Sequence, residues 1–251
     1  MNSQAEIIAH RGGLWPGMSE NTLEAFTAAH RAGVTWMETD VHASADGVLF
    51  AAHDAALDRI AGRPQRIRDL RARELDSIEL TAGGRLPRLT TLIEALPEAR
   101  WNIDVKAAHS IAPMVRTARS LHVDHRLRLA SFSTSTLQTL REALPGVRTS
   151  FGTLETALFA LGSLPGLPDH GPASLPAGLD ALQVPMSFKS LPVVTRDFVA
   201  RAHRAGLEVH VWTINDSASM RILLDRGVDA IVTDDVMLGL AQLAPGNNQT
   251  R

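Results

Sequence analysis

What most constrains this chain is a repeat: short apolar runs of strand length, separated by longer stretches with helical spacing. The runs fall at residues 6–9, 36–41, 101–105, 127–131, 147–151, 181–184, 208–213 and 229–233, eight in all. Short apolar segments bounded by turn residues predict buried strands. Residues 21–32, 111–121, 135–144, 196–205 and 217–226 instead space their apolar side chains along one helix face. Gly33, Gly146, Gly206 and Gly227 stand near the ends of such stretches, where helices favour a left-handed terminator. Alternating β and α elements read as a parallel sheet with covering helices. Eight nearly continuous apolar strands favour closure into a (β/α)8 TIM barrel over an open doubly wound sheet. A length of 251 residues suits one barrel, so residues 1–251 are expected to form a single domain.

Two stretches interrupt the repeat. After residues 36–41 the chain carries Asp46-Gly47, a strong signal for a two-residue hairpin. With those two residues as the loop, Ala45 pairs with Val48, and Asp40 stands opposite His53. The rest of residues 41–100 then forms a small insertion after the second strand. It contains Arg59, Arg63, Arg66, Arg68, Arg71 and Arg73, which read as a solvated face rather than an anion-attracting patch. The second interruption, residues 162–178, has Gly or Pro at eight of 17 positions and is expected to be a long loop away from the active face. Residues 245–251 are expected to fray.

Composition removes several classes of function. No cysteine is present, which excludes disulfide frameworks, thiolate–zinc sites and cysteine nucleophiles. Lys+Arg 25 against Asp+Glu 27 leaves a net charge of −2, so no global field steers the chain onto nucleic acid or an anionic bilayer. No run approaches the roughly 18 apolar residues of a membrane helix, and no signal peptide opens the sequence, so no integral membrane segment is expected and a cytoplasmic location is the default. Only two basic residues, Lys106 and Lys189, are lysines.

In a parallel barrel, chemistry belongs at the C-terminal ends of the strands. There the first strand ends in His10-Arg11-Gly12-Gly13, the second contains Glu38-Thr39-Asp40, and the third contains Asp104-Val105-Lys106. The i, i+2 spacing puts Glu38 and Asp40 on one face of their strand, so three carboxylates converge on one mouth. Either a hard divalent cation, Mg2+ or Ca2+, neutralises them, or they form a surface cluster paired with Lys106 or Arg11. Histidines 10 and 53 flank this group, as a general base and a general acid would. The Arg11 fork and the Lys106 ammonium suit phosphate oxygens. Ser19, Ser131 and Ser133 lie in no nucleophile elbow, and neither a P-loop nor a dinucleotide-binding glycine motif occurs.

The runs I-I-A-H-R-G-G at 7–13, S-E-N-T-L-E-A-F at 19–26, M-E-T-D-V at 37–41, D-G-V-L-F-A-A-H-D at 46–54, N-I-D-V-K at 102–106, V-W-T-I-N at 211–215 and G-V-D-A-I-V-T-D at 227–234 carry a resemblance. Together they resemble the glycerophosphodiester phosphodiesterase family across almost the whole chain. The resemblance implies a barrel with a small insertion after the second strand. It also implies hydrolysis of small-molecule glycerophosphodiesters to glycerol 3-phosphate and an alcohol, with Mg2+ or Ca2+. On this reading His10 and His53 are catalytic, Glu38, Asp40 and Asp104 bind the metal, and Arg11 and Lys106 contact phosphate. Asp104 departs from the usual glutamate by one methylene, so it binds either through water or by a closer approach of the backbone. Trp212 matches the family's tryptophan and either packs against the glycerol carbons or fills the core. His210, on the same strand face, reads as core filler. Asn21, three residues before Glu24, has capping-box spacing. Glu20 is read as orienting Arg11, and Asp234 as supporting the site from behind. Two rival readings remain at this level: a lysophospholipase D acting on acylated glycerophosphodiesters, and a barrel that binds a phosphate ligand without catalysis.

Overall fold

All eight apolar runs are strands in the structure, a computed structural model that describes residues 5–161, 178–189 and 191–244. Of the loop expected at 162–178, residues 162–177 lie outside the described residues, as does the tail at 245–251. The strands are β1 (Glu6–His10), β2 (Trp36–Ala43), β3 (Leu49–Ala51), β4 (Arg100–Val105), β5 (Leu127–Ala130), β6 (Arg148–Ser150), β7 (Leu179–Pro185), β8 (Ser187–Phe188), β9 (Leu191–Pro192), β10 (Glu208–Trp212) and β11 (Ala230–Thr233). Hydrogen bonding runs β1-β11-β10-β7-β6-β5-β4-β2, and a β1–β2 ladder closes the ring. Every ladder of the ring is parallel. β3 joins only β2, antiparallel, and β8 pairs with β9 apart from the ring.

Helices fill the connections as parallel strands require. α1 (Leu23–Arg31) follows β1. After β3 come α2 (Asp58–Ala61) and α3 (Ala72–Leu75), and then the crossover helix α4 (Leu89–Ala95) leads into β4. α5 (Ile111–Leu121), α6 (Thr134–Ala143), α7 (Thr153–Leu161), α8 (Arg196–Arg204), α9 (Ser217–Arg226) and α10 (Val236–Leu243) each follow a ring strand or its β8–β9 extension. The closed ring of eight strands with intervening helices is the expected (β/α)8 barrel.

Period two sorts the strand residues between two cores. Met37, Val41, Trp101 and Ile103 face the helices, where Trp101 meets Phe26 of α1 edge to face at 5.1 Å. Such a pair adds about 1 kcal/mol beyond its area burial. Residues of the opposite parity point into the barrel, and many are polar. Arg128 is 1% exposed, donates to both oxygens of Asp180 and to Glu208, and stacks over Trp36 at 4.7 Å. Gln183 donates to Asn102, and His210 bonds Glu208 at 2.9 Å. Histidine 210 is thus buried filler, but within a polar network rather than an apolar layer. Burial lowers its pKa, while the bond from His210 and the Arg128 charge bring Glu208 down to about 2 although its own burial opposes them.

The hairpin differs from expectation by one residue. Ala43 pairs with Leu49 and Val41 with Ala51, so Ala52, not His53, lies opposite Asp40 and donates its N–H to the Asp40 carbonyl. The cause is a three-residue loop: Ser44 and Val48 close it, and Gly47 takes φ 76°. Asp46 serves in that loop as an acceptor for Ser44 Oγ and for the Ala72 N–H. A slip of one residue exchanges faces, so His53 is not delivered by the ladder but by the turn that follows it.

Candidate active site

The end of β1 is bent to aim two side chains in different directions. Arg11, Gly12 and Gly13 have φ of 52°, 84° and 82°, a left-handed run that costs little only where glycine is present. A Cβ on Gly12 would lie 3.0 Å from Ala25 Cβ, and one on Gly13 would lie 2.7 Å from Val236 Cγ2. The turn therefore packs tightly against α1 and α10. It keeps His10 in register with Glu38 and carries Arg11 back over the mouth.

Glu38, Asp40 and Asp104 are 8%, 2% and 8% exposed, so the carboxylates form a buried group rather than a surface cluster. Asp40 and Asp104 are register partners on adjacent strands. Lys106 Nζ stands 2.7 Å from Asp40 Oδ1 and 2.7 Å from Asp104 Oδ2, and Arg11 Nε lies 3.3 Å from Asp40 Oδ2. The Arg11 N–H donates to Glu38 Oε2. These cations do not balance the site. Burial, with the Asp40 and Asp104 charges added, pushes Glu38 well above the usual carboxylate range, and burial also raises Asp104 against the pull of Lys106. Burial opposes the Lys106 ammonium, but Asp104 and Asp40 outweigh it and raise its pKa.

Whether these residues suit a hard divalent cation can be judged from their unfilled oxygens. Among the described residues no three His, Asp or Glu side chains converge as a ready-made cage. Yet Asp40 Oδ2 and Asp104 Oδ1 are buried without a hydrogen-bond partner. Unsatisfied buried oxygens beside a third carboxylate that burial drives toward protonation are an oxygen-only donor set short of positive charge. The set fits Mg2+ or Ca2+, with Glu38, Asp40 and Asp104 as the residues that would hold it.

Each histidine is backed by a carboxylate. His10 Nδ1 lies 2.6 Å from Asp234 Oδ1, whose other oxygen accepts from Asn215 Nδ2 at 2.7 Å. Burial would raise the Asp234 pKa, but the bonds from His10 and Asn215 outweigh it and hold the group ionised. A carboxylate only accepts, so His10 Nδ1 carries the hydrogen and Nε2, 3.9 Å from Glu38 Oε2, presents a lone pair to the mouth. His53 Nδ1 likewise pairs with Asp54 Oδ1 at 2.7 Å. Its side chain is 38% exposed against 17% for His10, and its charge acts on Asp104. His42 Nε2 bonds the His53 carbonyl at 3.1 Å and fixes that turn.

Residues the sequence reading did not assign complete the site. Arg59 donates to Asp54 and to Glu20, and Glu20 in turn accepts from Arg11 Nη1 at 3.3 Å. Arg59, though 48% exposed, is therefore more than a solvated side chain: it ties the insertion to the β1–α1 loop. Asn215 and Asp54 each left one signal, a place at the end of a quoted motif, but the Arg59 partners lie 39 and five positions away and left none. Asn21 is not the helix cap. Thr22 caps α1 by accepting from the Ala25 N–H, while Asn21, at φ 57°, is buried and accepts from Thr39 Oγ1. Trp212 sits half-buried at the end of β10 and meets Phe132 edge to face at 6.0 Å, and Lys106 Nζ lies 5.4 Å from the same Phe132 ring. The ten residues singled out from the sequence thus share the C-terminal end of the barrel.

The chain is similar over most of its length to known proteins. The sequence pattern of the glycerophosphoryl diester phosphodiesterase family matches residues 10–238. A Mycobacterium tuberculosis protein named "Probable glycerophosphodiester phosphodiesterase 2" is 35% identical over 229 residues, 90% of this chain and 86% of that one. A glycerophosphodiester phosphodiesterase of Caldanaerobacter subterraneus is 24% identical over 91% of this chain and 93% of its own length. The crystal structure of a glycerophosphodiester phosphodiesterase from Agrobacterium tumefaciens superposes with a TM-score of 0.73 at 26% identity, covering 94% of this chain and 98% of that one.

Proposed function

The chain belongs to the glycerophosphoryl diester phosphodiesterase family, and from that membership we propose that it hydrolyses glycerophosphodiesters to sn-glycerol 3-phosphate and an alcohol, with His10 and His53 as the acid–base pair. The observation that carries the reading is the pairing of two histidine–carboxylate dyads across one buried carboxylate group at the mouth. Arg11 offers its guanidinium fork, and Lys106 a point charge, to the phosphate oxygens. Charge accumulates on those oxygens in the pentacovalent transition state, so fixed cations there lower the barrier more than they tighten ground-state binding. A divalent ion held by Glu38, Asp40 and Asp104 would supply Lewis-acid neutralisation of the same charge.

His10, half-buried and held by Asp234 in the Nδ1–H form, takes the proton of the attacking hydroxyl at Nε2. His53, more exposed and backed by Asp54, delivers a proton to the departing alcohol oxygen. Asp234 and Asp54 stabilise the imidazolium forms and do not move protons themselves. Trp212 and Phe132 supply an apolar wall beside Lys106, suited to the carbon skeleton of the substrate. Phe132 is 60% exposed, which also favours the lysophospholipase D reading for substrates that keep an acyl chain. Choline release from glycerophosphocholine and from lysophosphatidylcholine tests both. Turnover that is lost in His10→Ala and in His53→Ala supports the reading, and no turnover of either substrate by the unaltered protein, with Mg2+ or Ca2+ supplied, would overturn it.

A further inference from the structure

The mouth of the barrel is chemically two-sided. The arc formed by β1, β2 and β4 holds the charged machinery, with Leu14 after β1 as an apolar residue 68% exposed beside it, whereas the segments that follow β5, β6 and β7 expose several apolar side chains: Phe132, Leu154, Phe188 and Leu191 are 60%, 62%, 62% and 71% exposed. Leu154 sits beside Phe132, because the Thr153 N–H donates to the Phe132 carbonyl. Phe188 and Leu191 are register partners in the β8–β9 ladder, so they project from one face of it. Lys189, at φ 47°, follows Phe188 with its Nζ 5.6 Å from that ring. An exposed Phe–Leu pair with an adjacent lysine gives no core packing and buries no catalytic group. Its chemistry is that of a side-chain set sitting at an apolar–aqueous boundary with its cation at headgroup level.

A second observation gives the sign of the partner's charge. The chain as a whole is at −2, yet residues 59–73 hold six arginines against Asp69, and the insertion they belong to, residues 54–88, keeps an excess of +2 once all six of its acidic residues, Asp54, Asp58, Asp69, Glu74, Asp76 and Glu79, are set against its eight arginines. Five of the six, from Arg63 to Arg73, are exposed and, apart from one loose pair to Asp69, make no ion pair among the described residues. This segment lies at the catalytic end: Arg59 is anchored on Glu20 at the mouth, and Arg66 bridges Ala56, two residues from Asp54. Net charge therefore misdescribes this end, because what a nearby surface meets is the local field within a Debye length. We propose that the barrel mouth docks on an anionic lipid surface, with Phe188 and Leu191 entering the interface and Lys189 and the arginines of the insertion facing the headgroups. The surface is distinct from the catalytic groups and stands independently of the hydrolytic reading.

The test uses the full chain and sedimentation with vesicles of phosphatidylglycerol and phosphatidylcholine, or of phosphatidylcholine alone. Binding is expected for the mixed vesicles at low salt, weaker by an order of magnitude or more on phosphatidylcholine, since each basic residue at an anionic surface adds about a fivefold gain. Raising salt to about 0.5 M is expected to weaken it further. Phe188→Ser/Leu191→Ser is expected to lose about tenfold or more, from two partly inserted apolar side chains. Arg63→Glu/Arg66→Glu provides a second variant at a separate place, expected to lose at least as much on the mixed vesicles. Hydrolysis of soluble glycerophosphocholine, measured without vesicles, should be unchanged in both variants and reports that they are folded. No sedimentation of the unaltered chain, equal sedimentation with neutral vesicles, or binding by both active variants equal to that of the unaltered chain would overturn the proposal. Absence of hydrolysis by the unaltered chain would instead overturn the catalytic reading and leave the docking result intact.

Discussion

Asp234→Asn should disable the site by changing one proton position while leaving the fold in place. In the native arrangement Asp234 Oδ1 accepts from His10 Nδ1 and Oδ2 accepts from Asn215 Nδ2. An asparagine at 234 has one carbonyl to serve both donors. Kept on Asn215, it turns its own NH2 toward His10, whose Nδ1 must then be the acceptor, so the proton moves to Nε2 and the lone pair leaves the mouth. Keeping the original tautomer loses a charge-assisted hydrogen bond, about 1.5–3 kcal/mol, and leaves a donor unpaired, about 1–3 kcal/mol. The two together cost about 2.5–6 kcal/mol, which corresponds to a fall of roughly 10²–10⁴ in kcat/KM. The assay is choline release from glycerophosphocholine at neutral pH, with His10→Ala as the lower reference. Asn215→Asp/Asp234→Asn supplies the sharper test. Aspartate at 215 can still accept from Thr233 Oγ1 and from the residue 234 N–H, as Asn215 does, and can also accept the new NH2, freeing the carbonyl for His10. At least about tenfold recovery over the single variant is expected. A single variant within about threefold of native activity, or a double variant no better than the single, would refute the tautomer argument.

Removal of divalent ions with EDTA should abolish hydrolysis, and Mg2+ or Ca2+ should restore it; Asp40→Asn should lower both turnover and calorimetrically measured Ca2+ affinity by about tenfold or more, as expected for loss of a ligand. Arg59→Ala should reduce kcat by about tenfold while the melting temperature changes little, because its loss frees Asp54 and Glu20 at a half-exposed pair rather than in the core. Gly13→Ala forces a left-handed Cβ into Val236 and should destabilise by about 2–4 kcal/mol, visible as a melting temperature lowered by about 5–15 °C. Acid should weaken the fold in two windows. The His210 pKa falls on folding, so stability is full above its ordinary 6.5 and declines as pH drops through that value, where the unfolded chain takes up a proton that the buried ring refuses. Glu208, depressed from 4.5 to about 2, adds a second loss as pH falls through that range. Denaturant midpoints between pH 8 and pH 3 measure both, and His210→Gln should flatten the upper window and also narrow the lower one, because it removes the bond that holds Glu208 down.

The split between what was legible and what was not follows the range of each interaction. Strand identity and facing come from a backbone repeat of two, a property of neighbouring residues, so the sequence by itself determined that Trp36, Glu38 and Asp40 share one face and that eight strands alternate with helices. The convergence of His10, Asp104 and Lys106 at one end follows from that count once a parallel barrel is assumed. Tertiary structure alone decided the rest. The loop between Ser44 and Val48 took three residues rather than two, since Gly47 could adopt a left-handed conformation and Asp46 found partners in Ser44 and Ala72, and this moved His53 off the Asp40 row. Asn21 looked like a cap because its spacing to Glu24 is local, but the Thr39 hydroxyl across the fold claimed its carbonyl. Arg59 on Glu20, Asn215 behind Asp234, and Arg128 between Asp180 and Glu208 join residues far apart in the chain, and only closure of the ring brings them within hydrogen-bond reach. The same closure turned three carboxylates that spacing merely set on neighbouring strands into a buried group with two unsatisfied oxygens, because burial, not proximity alone, is what makes that charge costly.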